Sequence, residues 1–124
     1  MTPLEAAPGH LTKAQEFLSD AKSALANGHA NVATSNAVIA EINAKDAICL
    51  VSVGKTAKAD DHRQAVGELR KAGKIGADLA STLDRLLKPK TKSQYQTLSV
   101  VMKDAESAVN QAARLVDEAS QIVR

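Results

Sequence analysis

Between Ala30 and Val53 the chain reads ANVATSNAVIAEINAKDAICLVSV, with apolar or small residues at most positions and no wide polar face. A helix of this kind must be covered on several sides, so it sits at the centre of a bundle or in a dimer seam. Its many alanines let neighbouring helices come close. Asn36, Asn43 and Asp46 interrupt the surface. Each is costly if buried without a partner, so pairing within the bundle or exposure at an interface is expected.

The segments on either side supply amphipathic faces to cover it. Residues 1–10, with Pro3, Pro8 and Gly9, read as a loose lead-in to a domain spanning 11–124. A first helix is expected from about Thr12, where Thr12-x-x-Gln15 has capping-box form. Its stripe is Leu11, Ala14, Phe17, Leu18, Ala21 and Leu25, and Asn27-Gly28 ends it. After the central helix, Gly54 and a polar loop lead to Asp61, a good N-cap with Gln64 at the capping-box position. A short helix then runs to the break at Gly73 and Gly76. A second short helix covers Ala77 to Leu87, with Pro89 as its stop. From Ser93 to Val123 the apolar residues recur at helical spacing, which predicts a helix roughly 45 Å long. Nothing reads as a strand. The expected fold is all-α, a bundle of about five helices, three long and two short.

Composition narrows the function. Phe17 and Tyr95 are the only aromatic residues, which disfavours the stacking platforms of RRM- or OB-type binders. The single Cys49, inside an apolar run, excludes a disulfide scaffold and points to a reduced, cytoplasmic setting. The N-terminus has no basic and apolar signal pattern, and no apolar run is long enough to span a bilayer. His10, His29 and His62 are far apart, with no HExxH and no CxxC, so no metal site is suggested. The Walker A, GxGxxG and GxSxG patterns are absent as well, and no cofactor is implied.

Charge is unevenly placed. From Lys55 to Lys92 there are ten Lys/Arg against five Asp/Glu, and elsewhere six against nine. A basic middle can attract phosphates, although a solvated surface has the same composition. Two places within it stand out. Asp61-His62-Arg63 opens a helix, where free N–H groups and the helix dipole favour an anion. The ordinary alternative for His62 is a surface residue. Arg85-Leu-Leu-Lys88-Pro-Lys90-Thr-Lys92-Ser-Gln-Tyr95 gathers cations and a tyrosine ahead of the last helix. It suits a phosphate backbone, or else a solubilising loop with Tyr95 as a half-buried plug.

From about Leu11 to Ser120 these pieces, in this order, resemble the HEPN family, in particular small stand-alone HEPN proteins of actinobacteria. The resemblance rests on the alanine-rich pair LTKAQEFLSDAKSALANGHANVATSNAVIAEINAKDAICL, on DDHRQAVGELR, and on LLKPKTKSQYQTLSVVMKDAESAVNQAARLVDEA. It implies a helical bundle that pairs as a homodimer. In the family's nucleases an Arg-x4–6-His motif opens the last helix, two copies meet across the dimer, and RNA is cut without a metal by its own 2′-OH. Here Lys90 stands at the Arg position and Tyr95 at the His position. Lysine keeps the charge but loses the fork that grips phosphate. Tyrosine titrates near pH 10, far from a neutral-pH acid or base. The nuclease motif is therefore read as degraded.

The resemblance thus implies a non-catalytic protein that binds RNA or a nucleotide. Lys88, Lys90, Lys92 and Tyr95 would hold it, with His62 and Arg63 as further candidates. A nucleotidyltransferase-type partner and a toxin–antitoxin or defence role come with the family. Two alternatives stand beside this reading. One is a metal-independent ribonuclease using His62 or Tyr95. The other is a protein–protein adaptor that presents the apolar second helix.

Overall fold

The computed structural model describes residues 2–52 and 100–123. They form three helices, α1 (Pro3–Ala26), α2 (Ala30–Ser52) and α3 (Met102–Ile122), and no strand. The two short helices expected between Asp61 and Leu87 lie outside the described residues, so the expected number of helices is neither met nor missed there.

α1 begins ten residues earlier than the sequence pattern suggests, and the supposed lead-in is its first turns. The start is made by a capping box ten residues upstream of the expected one. Thr2 Oγ1 accepts the N–H of Glu5 at 3.2 Å, and the Glu5 carboxylate accepts the N–H of Thr2 at 3.1 Å. Pro3 follows at the first helical position, where its missing N–H is no loss. Pro8 lies inside the helix, yet Ala7 is fully buried against Ala47, Leu50 and Val123. Tertiary burial here outweighs the break that Pro8 and Gly9 imply in sequence. Thr12, expected as the cap, donates its hydroxyl to the Pro8 carbonyl at 3.1 Å instead.

The expected stop at Asn27-Gly28 is observed. Gly28 has φ 76°, with its N–H on Leu25 O at 3.0 Å and the His29 N–H on Ala24 O at 2.8 Å. This pair of bonds is a Schellman cap, which needs a left-handed residue at that point. A Cβ on Gly28 would meet nothing within 4 Å, so any penalty is purely backbone strain. Gly28→Ala is expected to destabilise the fold by about 1–2 kcal/mol, read as a lowered midpoint in urea.

The tight turn folds α1 and α2 into an antiparallel hairpin, and α3 packs on both. Ala14, Leu18, Ala21 and Ala24 of α1 meet Ala33, Ala37, Ala40, Ala44 and Ile48 of α2. α3 contributes Ala105, Ala108, Val109, Ala112, Leu115, Val116 and Ala119. So many alanines bring the backbones close, and the core is stabilised by tight packing more than by large side chains. α3 is shorter than expected. Val101 is extended, at φ −74° and ψ 151°, and serves as N-cap, so the helix has 21 residues and is about 31 Å long. Ser93 to Ser99 lie outside the described residues.

α2 is central. From Ala37 to Leu50 every residue is buried except Ile39 and Asn43, which are half-buried. The burial expected from the sequence is thus met over Ala37 to Leu50 within the chain. No helix among the described residues is long and apolar enough to cross a membrane.

Candidate functional site

At 100° per residue, Thr34, Val38, Glu41 and Lys45 fall within roughly 60° of one another on α2. This strip is turned away from the alanines that meet α1 and α3. All four side chains are completely buried. For Val38 that is ordinary. For a threonine, a glutamate and a lysine in an alanine-rich helix it is not, because charged side chains are almost never fully buried unless paired.

Lys45 is paired. Its Nζ forms an ion pair with the Asp46 carboxylate, and both side chains are nearly inaccessible. Asp46 also faces α1, where its other oxygen lies 4.0 Å from His10 Nδ1. Asn43 joins from the next position on that side. Its Nδ2 donates to the Ile39 carbonyl at 3.0 Å, which orients the amide and turns Oδ1 toward His10 at 3.2 Å. An oxygen there can only accept, so this assigns the proton to Nδ1 of His10. His10 is about a third exposed, so a polar path runs from solvent through His10 to the enclosed Asp46–Lys45 pair.

Glu41 differs from its neighbours. Neither carboxyl oxygen has a hydrogen-bond partner among the described residues, and the Thr34 hydroxyl is likewise unmatched. Burial pushes the Glu41 carboxyl well above the usual glutamate range, with no offsetting charge, and so favours the neutral acid. Lys45 stands one helical turn away, but its charge is balanced by Asp46. The strip therefore combines a neutral-leaning carboxyl, an ammonium held by a carboxylate, and a free hydroxyl in a low-dielectric setting. Groups so arranged can donate to phosphate or base acceptors or move a proton, provided that α2 is uncovered locally.

A second feature lies at the other end of α2. An open cleft of about 410 Å³ is lined by Gly28, His29, Ala30, Asn31, Val32 and Val100. Asn31 Oδ1 accepts the Val100 N–H there at 2.9 Å, tying the approach to α3 to the start of α2.

The residues singled out from sequence, His62, Arg63, Lys88, Lys90, Lys92 and Tyr95, all lie outside the described residues. Asp46 and Asn43 are paired inside the bundle, as the cost of burying them alone requires. Glu41 and Lys45 escaped sequence reading. The available signal was a Glu-x3-Lys pair inside a helix that has no polar face to hold it. Cys49 is a buried thiol, as expected. Among the described residues, no group of His, Cys, Asp and Glu could hold a metal ion.

In comparisons with known proteins, the family model described as HEPN domain matches residues 7–122 of this chain. No curated protein matches it.

Proposed function

The chain belongs to the HEPN family, and on that premise we propose that it is an RNA- or nucleotide-binding protein that does not cut its ligand. The observation that best supports this reading is the charge enclosed in α2. Burying Glu41, Lys45 and Asp46 in a small alanine-rich core is unfavourable, and apolar residues of similar size would be at least as stable. Titratable groups kept in such a place are more often held for a site than for stability. The family's association with ribonuclease and nucleotide functions gives that site its ligand class. Phosphate contacts are assigned to Lys88, Lys90, Lys92 and Tyr95, with His62 and Arg63, in a homodimer of the kind the family forms. A nucleotidyltransferase-type partner and a toxin–antitoxin or defence role belong to the same proposal.

The test is binding of labelled single-stranded RNA in EDTA, resolved on native and denaturing gels across a salt series. A shift without cleavage is expected, and its affinity should fall with salt in proportion to the phosphates neutralised. Lys90→Ala should weaken it and reduce the slope of log affinity against log salt by about 0.7. Binding indifferent to salt and to Lys90→Ala would sink the proposal.

The ribonuclease reading keeps one observation in its favour. A carboxyl held as the neutral acid is a competent proton donor near neutral pH. Against it, Glu41 is wholly enclosed and reaches no substrate in this conformation. Cleavage in EDTA that disappears in Glu41→Gln would favour the enzyme over the binder.

A further inference from the structure

We propose that Lys45 is a two-position switch, its ammonium passing between the Asp46 and Glu41 carboxyls and so changing the charge that His10 meets near the surface. This goes beyond the nucleic-acid reading and does not depend on it. Glu41 and Lys45 are four residues apart with the acid on the N-terminal side, the spacing and order that favour an ion pair along one helix face. Both are completely buried. Yet the ammonium is on Asp46, the next residue, and neither Glu41 oxygen has a hydrogen-bond partner among the described residues. One cation thus stands between two carboxyls, and the flexible four-carbon stem of lysine reaches either by turning about its own torsions.

Asp46 has a further neighbour on α1. Its other oxygen lies 4.0 Å from His10 Nδ1, and the His10 side chain is 31% exposed. Asn43 Oδ1, 3.2 Å from the same nitrogen, holds the ring beside it. The other charged residues of α1 are exposed. α3 meets α2 through alanines, valines and Leu115, and its charged residues are exposed apart from the half-buried Glu118.

The proton on Glu41 decides which position wins. While Glu41 is the neutral acid, as its burial favours, Asp46 is the ionised carboxyl of the two and keeps the ammonium. When Glu41 loses its proton to solvent, two carboxylates compete for one ammonium, whose own three protons stay in place. An unbalanced charge costs most where water reaches least. Glu41 is 0% exposed, whereas Asp46 is 6% exposed and stands beside an imidazole that can donate to it from Nδ1. Lys45 therefore goes to Glu41, and His10 turns its Nδ1–H from Asn43 to Asp46. A protonation event inside the bundle is so passed to a residue that water reaches.

The experiment is an NMR titration of the full chain, labelled with carbon-13 and nitrogen-15, from about pH 4 to about pH 9. The Glu41 carboxyl carbon reports its own ionisation, the Lys45 Nζ reports its partner, and the His10 ring reports what faces it. His10→Gln identifies the His10 signals among those of the three histidines. In wild type the Lys45 and His10 signals should step together with the Glu41 carboxyl. In Glu41→Gln that step should be gone from both, leaving only the titration of the imidazole itself. Urea unfolding gives a second reading. The Lys45–Asp46 coupling, from Lys45→Met, Asp46→Asn and the double variant, should fall about tenfold as a ratio of unfolding constants between the acid and the alkaline side of the Glu41 step. In a Glu41→Gln background it should hold constant. If a variant does not fold, the wild-type titration decides alone. Ionisation of Glu41 with the Lys45 and His10 signals unmoved would overturn the inference, as would a Glu41 carboxyl that stays neutral until the protein unfolds. A Lys45–Asp46 coupling equal on both sides of the step would overturn it as well.

Discussion

Replacing Lys45 by alanine should lower the unfolding free energy by about 3–5 kcal/mol. The pair it forms with Asp46 lies inside the bundle, so removing the ammonium leaves a carboxylate in a place water hardly reaches. Two effects add. The stem of Lys45 leaves a void in close-packed surroundings, and the buried Asp46 carboxylate loses the ammonium that balances it. The companion variant separates them. Lys45→Met with Asp46→Leu removes both charges and keeps most of the volume, so it should recover most of the loss and can exceed wild-type stability. Urea unfolding of the two single variants and the double gives the coupling directly. If Lys45→Ala costs less than about 1 kcal/mol, the pair is behaving as an exposed one and the enclosed strip is misassigned.

Glu41→Gln is expected to act in the opposite direction, raising stability at neutral pH. Burial raises the Glu41 carboxyl well above its usual range in the folded protein, whereas the unfolded chain titrates near the ordinary value of about 4.3. Below that value both states carry the proton and the contribution is fully present. As pH rises from there toward the raised folded value, the unfolded state ionises first and draws the equilibrium to itself. Wild type should therefore lose on the order of 1.4 kcal/mol per pH unit over that window relative to Glu41→Gln. Glutamine keeps the shape and cannot ionise, so the two proteins should be about equally stable near pH 4 and diverge steadily above it. Urea midpoints from pH 4 to pH 8 provide the measurement. Parallel curves would mean that Glu41 has an unrecognised cationic partner. Because the destabilised group is also the one whose neutral form can donate a proton, any loss of RNA binding in Glu41→Gln alongside improved stability would mark the trade between function and stability that active groups often display.

How much of this was legible in the sequence differs by segment. The end of α1 was, because Asn27-Gly28 is a local device and Gly28 has no competitor for a left-handed position. The start of α2 at Ala30 was legible, and the helix continues through Ser52, while the expected stop at Gly54 lies outside the described residues. The start of α1 was not. Thr2-x-x-Glu5 and Thr12-x-x-Gln15 have the same form, and Pro8 with Gly9 argued for the later one. What decided between them was the burial of Ala7 against Ala47, Leu50 and Val123, contacts that span the whole chain. The start of α3 failed for a related reason. Its apolar spacing continues upstream through Val101 and Leu98, but Val100 is held to Asn31 and Val101 is extended, and periodicity alone cannot see a bond across 69 residues.

By itself the sequence determined an all-helical chain with a central apolar helix and a basic middle, and it carried the family. Those properties depend on local propensity, on spacing along one helix and on composition, all of which are additive along the chain. Only the tertiary structure decided that Glu41 and Lys45 are completely enclosed, that Asp46 is shared between Lys45 and the side of His10, and that α2 is buried from Ala37 to Leu50 within the chain. The reason is physical. Burial of a charge depends on which helices close over it and from which sides, and that is a property of packing in three dimensions that no residue carries in its own neighbourhood.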